Sequence, residues 1–486
     1  YTTVAADVLA RYKKTMGYDV YFLTGTDEHG QKVEEKAKEQ GFTPKEWVDK
    51  MAPRFGKMWK LLNIQNNDFI RTTEERHLKS VKKILKKAYD NGDIYKGEYE
   101  GYYCTPCESF WTPIQLVDGN CPDCGREVHL VKEENYFFKL SKYQKRLEEY
   151  IENNPDFIEP ESRKNEMINN FIKPGLEDLC VSRTNFDWGI KVPFDTNHVI
   201  YVWIDALSNY ITALGYEGDD DTLYKKYWPA DLHLVGKEII RFHTIIWPAL
   251  LMALDLPLPK KVFGHGWLVI EGSKISKSSG NYKDPREYIK EYGIDAVRYF
   301  VLREVIFGSD GNFSVEALIN RTNADLSNVL GNLVNRTISM SKKYFNGVIL
   351  NEKVEENIDT PLKNYAKELY KLVDNKINNL HINEALDSIF ELFRKCNKYI
   401  DETTPWILGK EEKDHARLTT VLYNLLECIS IGSVLLQPFI PDTAEEIFRQ
   451  LNTKKTSYES IKEYGKLEIG NTLLDPKPIF NRIEVK

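Results

Sequence analysis

Residues Tyr18–Gly30 read Tyr-Asp-Val-Tyr-Phe-Leu-Thr-Gly-Thr-Asp-Glu-His-Gly, an apolar run followed by a polar loop between two glycines. The run Tyr18–Thr24 predicts a buried parallel strand, since strands covered on both faces read as continuous apolar stretches. In open α/β sheets, ligands bind beyond the carboxyl ends of the strands. The peptide Gly25–Gly30, with its acidic pair and histidine, is therefore a candidate site; an ordinary polar loop is the alternative.

The sequence around this stretch alternates helical and strand patterns. Val4–Lys14 predicts a helix, and Thr43-Pro44 opens another, with Thr43 suited to the N-cap and Pro44 to the first helical position. Asp231–Val235 and Lys261–Phe263 predict strands on either side of a helix over Ile239–Leu254. This order predicts an α/β fold with a Rossmann-like, doubly wound parallel sheet.

Composition narrows the class of protein. The chain has 486 residues, of which 42% are hydrophobic, and a net charge of −7. This size suggests two to four domains, and the composition excludes a disordered chain. Without a global basic field, a nucleic-acid partner must be held by local patches. The longest apolar candidate, Ile239–Leu256, is interrupted by charged residues and proline, so we predict no membrane partner.

Four of the seven cysteines are paired by spacing, as Cys104-Thr-Pro-Cys107 and Cys121-Pro-Asp-Cys124. Each pair presents two thiolates from a tight turn, and together they supply a tetrahedral ligand set for Zn²⁺. Because protein fills all four positions, the metal should be structural. The scattered remaining cysteines favour a reducing compartment over a disulfide framework. A redox pair or four unrelated thiols is the alternative.

Two further motifs carry side chains that could bind a ligand. Gly272-Ser-Lys-Ile-Ser-Lys-Ser-Ser-Gly280 has the composition of a phosphate-binding loop, without the spacing of a Walker loop. The segments Trp203–Tyr210 and Gly236–His243 place aromatic and apolar residues at helical spacing. This spacing predicts an apolar pocket that also contains two polar side chains. A solvated loop and ordinary core packing are the respective alternatives.

Together these motifs resemble the class I aminoacyl-tRNA synthetases, and among them the methionyl-tRNA synthetases, over essentially the whole chain. Lys274-Ile-Ser-Lys-Ser278 looks like the Lys-Met-Ser-Lys-Ser signature of that class, with Ile in place of Met. The resemblance implies a methionine–tRNA ligase that forms methionyl-adenylate from methionine and ATP and charges the 3′ end of tRNA. It also implies Mg²⁺, a structural Zn²⁺, initiator and elongator tRNA(Met) as partners, and a cytoplasmic location.

The resemblance assigns roles residue by residue. Asp27 holds the α-ammonium of methionine. The methionine side chain is surrounded by Trp203, Ala206, Tyr210, Ile239, Phe242 and His243. Gly236 and Glu238 lie near the adenosine, and Lys277 neutralises the triphosphate with help from Lys274. The anticodon is read by Asn332 and Arg336, and one of its bases stacks on Trp406.

The predicted organisation combines pattern and resemblance. In chain order it has a first Rossmann part (1–90), a connective insertion with the zinc knuckle (91–197), a second Rossmann part (198–270), a phosphate-loop and junction segment (271–325) and a helical anticodon-binding domain (326–486). The last region carries apolar residues at three- and four-residue spacing, which predicts a bundle of four or five helices.

Two family features are not found in this sequence. The His-Ile-Gly-His-like tetrapeptide does not occur, and Tyr1–Asp7 resembles the sequence that follows it, so we expect the first strand and this signature to lie upstream of Tyr1. The chain as written therefore lacks one catalytic signature. A dimerising carboxy-terminal extension is not visible, which leaves the oligomeric state open.

Other functions compete with this prediction. One is another class I synthetase, although the insertion at 91–197 leaves little room for the editing domain of the Ile, Val and Leu enzymes. A cysteine-specific enzyme would place its zinc at the substrate, whereas this knuckle is fully ligated by protein. A non-catalytic tRNA-binding protein derived from a synthetase is a further alternative, and a zinc-ribbon module would not explain the split α/β domain.

Overall fold

The computed structural model describes residues 1–270, 273–274 and 284–484. Contacts divide the chain into two units. The helical unit comprises Tyr1–Val20, Leu61–Gln65 and Gly266–Lys486, and the α/β unit comprises Tyr21–Lys60 and Asn66–His265. The five domain boundaries predicted from the sequence stay predictions.

The secondary-structure elements follow one another along the chain. The strands are β1 Leu23–Thr26, β2 Asp68–Arg71, β3 Ile94–Cys104, β4 Ser109–Trp111, β5 His129–Phe138, β6 Ile158–Glu159, β7 Leu179–Cys180, β8 Ser182–Arg183, β9 Lys191–Val192, β10 Asp195–Ile200, β11 His233–Gly236, β12 Val262–His265, β13 Leu268–Ile270, β14 Ser273–Lys274 and β15 Gly311–Phe313. The helices are α1 Thr2–Thr15, α2 Gln31–Glu39, α3 Pro44–Leu61, α4 Glu75–Asp90, α5 Gln144–Asn153, α6 Glu161–Met167, α7 Val202–Thr212, α8 Thr222–Tyr227, α9 Trp247–Ala253, α10 Pro285–Tyr292, α11 Ile294–Glu304, α12 Val315–Arg321, α13 Asn332–Phe345, α14 Asp359–Asn378, α15 Ile382–Thr403, α16 Pro405–Leu408, α17 His415–Leu436 and α18 Pro441–Leu451. Wider π-helical turns lie at Ile168–Ile172, Phe242–Ile246 and Thr322–Gly331.

Parallel strands form the Rossmann-like part of the α/β unit. β1 pairs in parallel with β2, and β12 pairs in parallel with both β11 and β6. The predicted strand over Tyr18–Thr24 is shifted, because the N–H of Phe22 donates to Asn67 Oδ1 and the ladder with β2 begins at Leu23. Gly25 permits the pairing, since a Cβ there would lie 2.1 Å from the carbonyl oxygen of Ile70.

The inserted module consists of antiparallel strands, as the change in sequence character predicts. One sheet has the order β4-β3-β5-β7, and a smaller one has the order β8-β10-β9. The Cys104–Cys107 turn joins β3 to β4, and Cys121–Cys124 precedes β5. The sheets thus hold the two cysteine turns at one end of the module.

The helical unit contains the predicted bundle, which includes helices α13, α14, α15, α17 and α18.

Thr43 and Pro44 begin α3 as expected: the N–H of Glu46 donates to Thr43 Oγ1, and the N–H of Thr43 donates to the Glu46 carboxylate. These reciprocal hydrogen bonds form a capping box.

One helix among the described residues is long and apolar enough to cross a membrane, over Glu412–Leu436, and the sequence analysis overlooked it. Its most apolar window is 100% buried inside the protein, as expected of the central helix of a bundle. Its buried charges are paired: Arg417 binds Asp359, and Glu427 accepts the backbone N–H groups of Gly465 and Leu467.

A buried ion pair joins distant segments of the helical unit. Arg298 of α11 donates to Asp7 of α1 at 2.8 Å and to the carbonyl oxygens of Leu62, Pro438 and Phe439. Asp7 also accepts from Arg11, and both Asp7 and Arg298 are fully buried. This network explains why α1 belongs to the same unit as the carboxy-terminal helices.

Replacing Arg298 with alanine should lower the free energy of unfolding by about 3–5 kcal/mol, since removing one partner of a buried pair leaves the other uncompensated. Urea denaturation followed by circular dichroism measures the change. Arg449→Ala, which removes an exposed partner of Glu446, is the matched control and should leave the midpoint nearly unchanged. An Arg298→Ala midpoint equal to that of the wild type would contradict the role of the network.

Candidate functional site

The loop after β1 fixes one carboxylate and leaves the other available. Glu28 is buried and accepts hydrogen bonds from Thr26, Arg71 and Thr73. Asp27 contacts solvent at the carboxyl end of β1, and none of the hydrogen bonds among the described residues involves its carboxylate. Asp27 is therefore the acid that a ligand can reach.

Asp27 lies in a recess crowded by protein, which affects its ionisation. Desolvation and then the charge of Asp205 raise the pKa of Asp27 to about 6, while the imidazoles of His77 and His29 oppose the shift. The carboxylate is thus mostly ionised at neutral pH and can bind a cationic group.

Asp205 of α7 holds two histidines at the base of this recess. Its Oδ2 lies 2.7 Å from His29 Nδ1, and its Oδ1 lies 2.6 Å from His77 Nε2. Burial raises the pKa of Asp205, but the charges and hydrogen bonds of the two histidines outweigh it and hold the pKa below its usual value. His77 Nδ1 also contacts Thr212 Oγ1 at 2.7 Å. The network fixes the loop after β1, α4 and α7 to one another.

The predicted pocket residues come together on α7 and on the helical segment after β11. The rings of Trp203 and Phe242 stack with centroids 3.7 Å apart and an angle of 8° between their planes. Ala206 and Phe242 are buried, and Trp203 and Ile239 are partly buried against the same core. The contacts among these side chains are mainly apolar, as expected of the predicted pocket.

A tyrosine and a histidine supply the polar groups of this pocket. His243 Nδ1 lies 2.9 Å from the carbonyl oxygen of Ile239, so Nδ1 carries the proton, and Nε2 accepts from the Tyr210 hydroxyl at 2.7 Å. Burial lowers the pKa of His243 to about 4, which keeps the imidazole neutral. The charge of Asp27 also acts on the Tyr210 hydroxyl, so the carboxylate and the pocket are close.

Gly236 and Glu238 lie at the carboxyl end of β11. A Cβ on Gly236 would lie 2.5 Å from a carboxylate oxygen of Glu238, so this exposed side chain lies directly over the Gly236 backbone. A ligand of an open sheet binds at such an edge. The position of Gly236 and Glu238 is consistent with a place near the ligand. Their role there stays a prediction.

The four paired cysteines form the predicted cluster. All four sulfur atoms lie within 4.8 Å of one another, with 3.6 Å between the Cys104 and Cys124 sulfurs and 4.0 Å between those of Cys107 and Cys121. A tetrahedral zinc with Zn–S bonds of about 2.3 Å requires sulfurs about 3.8 Å apart. Burial raises the pKa of the Cys104 and Cys107 thiols, so a divalent cation is needed to ionise these two. The cluster fits Zn²⁺.

The phosphate-loop lysines are described only in part. Lys277 lies outside the described residues. Lys274 lies in β14, where its backbone pairs with Val269 of β13, and its side chain is not described. Their predicted roles remain predictions.

The helical unit exposes the residues predicted to read an anticodon. Asn332 and Arg336 are exposed on α13, and Arg336 contacts Asp401 only at 3.8 Å. Trp406 on α16 is 41% exposed, so it is not a core residue. Gly409 packs against the ring of Tyr344, since a Cβ there would lie 2.3 Å from it, and this contact fixes α16 against α13.

The residues that hold the site in place were not predicted from the sequence. Asp205 is visible within Trp203–Tyr210, but its partner His77 lies on α4 with no local signal to connect them. Glu108 follows Cys107 directly, and only the fold places it near the loop after β1.

Comparisons with known proteins identify the family of the chain. Residues 1–130 and 125–338 match the family "tRNA synthetases class I (M)", and residues 361–473 match the family "Anticodon-binding domain of tRNA ligase". A methionine–tRNA ligase of Clostridium acetobutylicum is 59% identical over 485 residues, covering 100% of this chain and 75% of the relative. That of Bacillus subtilis is 53% identical over 501 residues, with the same coverage of both chains.

A solved structure shares the fold. The Mycobacterium tuberculosis methionyl-tRNA synthetase bound by methionyl-adenylate superimposes with a TM-score of 0.95 at 41% identity, covering 99% of this chain and 96% of that chain. The free form of the same enzyme gives a TM-score of 0.87 at 38% identity, covering 100% of this chain and 94% of that chain.

Metal analysis should find about one zinc per chain, because the four sulfurs have the spacing of a closed tetrahedral site. The double variant Cys121→Ser, Cys124→Ser should lose this zinc, since two of four ligands are removed. Cys396→Ser, which changes a cysteine buried in the bundle, is the matched control and should retain it. A stoichiometry near zero in reduced wild-type protein would contradict the site.

Proposed function

The chain belongs to the methionyl-tRNA synthetases of class I, and we propose that the described recess and pocket bind the methionine that these enzymes activate. The enzyme converts methionine and ATP to methionyl-adenylate and transfers the methionyl group to the 3′ end of tRNA. The observation that carries the proposed assignment is the available Asp27 carboxylate beside the Trp203–Phe242 pocket.

Asp27 binds the α-ammonium of methionine. The carboxylate has no hydrogen bond from the described residues, and a charge-assisted hydrogen bond to an ammonium contributes about 1.5–3 kcal/mol. Asp205, His29 and His77 hold the loop that carries Asp27, so the carboxylate is positioned before the ligand arrives. The side chain of methionine then extends toward Trp203, Ala206, Ile239 and Phe242.

Tyr210 and His243 select an uncharged, unbranched side chain. The Tyr210 hydroxyl already donates to His243, so the pair offers no free donor that would favour a polar substrate. A thioether is a weak acceptor and contacts aromatic rings favourably. Selectivity therefore depends on pocket shape and on contact with the stacked rings.

Activation is an in-line displacement: the methionine carboxylate attacks the α-phosphorus of ATP, and pyrophosphate leaves. No covalent enzyme nucleophile is needed, so positioning and charge stabilisation supply the catalysis. Glu238 contacts the ribose hydroxyls beside Gly236, and Lys277, assisted by Lys274, neutralises the triphosphate. Mg²⁺ bound to the phosphates would supply further charge neutralisation.

The helical unit recognises tRNA. Asn332 and Arg336 hydrogen-bond to the edges of anticodon bases, and Trp406 stacks on one of them, as is typical of single-stranded RNA recognition. Initiator and elongator tRNA(Met) are both substrates, because the anticodon is read in both. A cytoplasmic location suits this role in translation.

Methionine-dependent exchange between ATP and pyrophosphate tests the activation step, and charging of tRNA(Met) tests the transfer. Both are measured on the purified protein. We expect exchange with methionine and not with isoleucine, valine or cysteine. Exchange that depended on another amino acid would overturn the proposed use of the pocket.

Methionine binding should weaken as the pH falls through about 6. Asp27 has its pKa raised to about 6, and only its ionised form attracts the ammonium. Below that pH the dissociation constant should rise about tenfold per pH unit, and above pH 7 it should be flat. Calorimetry at a series of pH values measures this profile.

Asp27→Asn should weaken methionine binding by about 10- to 150-fold at pH 7.5, the equivalent of one charge-assisted hydrogen bond, and should abolish the acid limb of the profile. Glu39→Gln, which changes an exposed carboxylate at the far end of α2, should bind like the wild type. Equal affinity in Asp27→Asn and wild type would rule out the contact.

Trp406→Ala should lower kcat/KM for tRNA by about 5- to 150-fold, since stacking contributes about 1–3 kcal/mol per base. Pyrophosphate exchange, which needs no tRNA, should be nearly unchanged. Ile407→Ala, which removes the neighbouring exposed side chain, is the matched control. If Trp406→Ala distinguished an intact CAU anticodon from a substituted one as strongly as the wild type does, Trp406 would not read the anticodon.

A further inference from the structure

Glu108 connects the cysteine cluster to the loop after β1. It follows Cys107 directly and adopts a left-handed backbone conformation with φ of 50°, which turns its side chain out of the cysteine turn. Its Oε1 atom is buried and has no hydrogen-bond partner among the described residues. A carboxylate held in this way requires a reason other than the formation of the turn itself.

The carboxylate of Glu108 lies against the start of α2. A Cβ on Gly30 would lie 2.2 Å from Glu108 Oε1, so the oxygen contacts the Gly30 backbone. Gly30 is the N-cap of α2 and has no side chain to cap the helix, and the nearby backbone N–H of Lys32 favours the ionised form of the Glu108 carboxyl group. A carboxylate at this position stabilises a helix N-terminus. Glu108 therefore supplies the cap that Gly30 lacks.

The main chain of Glu108 contacts a second segment of the pocket. The Tyr201 hydroxyl donates to the Glu108 carbonyl oxygen at 2.5 Å. Tyr201 is buried and immediately precedes α7, which carries Trp203 and Tyr210. One residue of the inserted module thus contacts both the helix that follows Asp27 and the residue that begins α7.

The module reaches the third segment of the pocket through another residue. The guanidinium of Arg241 lies 4.4 Å from the ring centroid of Trp111, which packs against the cysteines, and 5.0 Å from that of Phe242. The cysteine module therefore contacts every chain segment that lines the pocket. Glu108 provides two of these three connections.

We propose that Glu108 is a positioning residue of the methionine site, which fixes the start of α2 and the start of α7 so that Asp27 and the aromatic pocket keep their spacing. The proposal rests on the proposed role of Asp27. Glu108 does not contact the substrate; it acts through the loop Asp27–Gly30 and through Tyr201. A role confined to folding of the cysteine turn is the alternative.

Calorimetry with L-methionine as the probe tests the proposal in the full-length enzyme. Glu108→Ala should raise the methionine dissociation constant about tenfold, the scale found for residues that orient binding groups. The KM for ATP and the zinc content should stay at wild-type values. Glu108→Gln keeps an acceptor oxygen at the start of α2 and should restore methionine affinity to within about threefold of the wild type.

Tyr201→Phe tests the second connection without altering the cysteine turn. It should weaken methionine binding by about 3- to 10-fold, the cost of one hydrogen bond. Combined with Glu108→Ala its effect should nearly add, because the Tyr201 hydroxyl donates to the main-chain carbonyl of residue 108, which alanine retains. Tyr95→Phe, which removes an exposed hydroxyl from β3 of the same module, is the matched control and should bind methionine like the wild type.

The outcomes separate this proposal from the proposed function. If Asp27→Asn weakened methionine binding while Glu108→Ala, with normal zinc content, did not, the positioning role would be overturned and the function retained. If Glu108→Ala lost its zinc, Glu108→Gln and Tyr201→Phe would decide the matter: wild-type binding by Tyr201→Phe would overturn the proposal. If Asp27→Asn had no effect, the proposed ammonium contact itself would fail.

Discussion

The arrangement of the candidate site depends on one buried carboxylate, Asp205. A charge in the protein interior is costly unless it is paired and hydrogen-bonded. Asp205 meets this requirement by accepting from His29 and His77, which come from two other segments of the chain. Its ionisation therefore requires those segments to be in place. Burial raises the pKa of Asp27, and the charge of Asp205 raises it further, so the group that orders the recess also contributes to the pH range over which the recess attracts a cation.

Sequence patterns predicted the parts of this fold that depend on local order. The cysteine spacing, the helices after Thr43 and after Asp325, and the strand before His265 were all predicted, because capping residues, apolar periodicity and tight turns are encoded over a few residues. The first strand was displaced because a side chain, Asn67, takes the N–H of Phe22 from a position far along the sequence. The family of the chain came from the resemblance, and the comparisons confirmed it. The pocket residues came from the same resemblance, and their roles stay predictions.

Contacts between residues that are distant in the sequence could not be predicted from sequence patterns. The capping of α2 by Glu108, the contact of His77 with Asp205 and the pairing of Asp7 with Arg298 each join residues that lie far apart in the chain. The last two satisfy buried charged groups that would otherwise lack a partner, and such requirements appear only once the backbone is folded. Arg417 and Glu427 show the same effect in α17, an apolar helix whose two buried charged residues find partners elsewhere in the protein.

Asp27 and His243, the two titratable groups at the site, have different pKa values. Burial places the pKa of His243 near 4, whereas that of Asp27 lies near 6. Protonation of His243 would give Nε2 a proton, so the Tyr210 hydroxyl would become an acceptor and its own proton would turn toward the pocket. That reversal would make the pocket more favourable for polar side chains. Because it requires a pH about two units below the titration of Asp27, the ammonium contact weakens first, and the apolar character of the pocket persists wherever methionine still binds well.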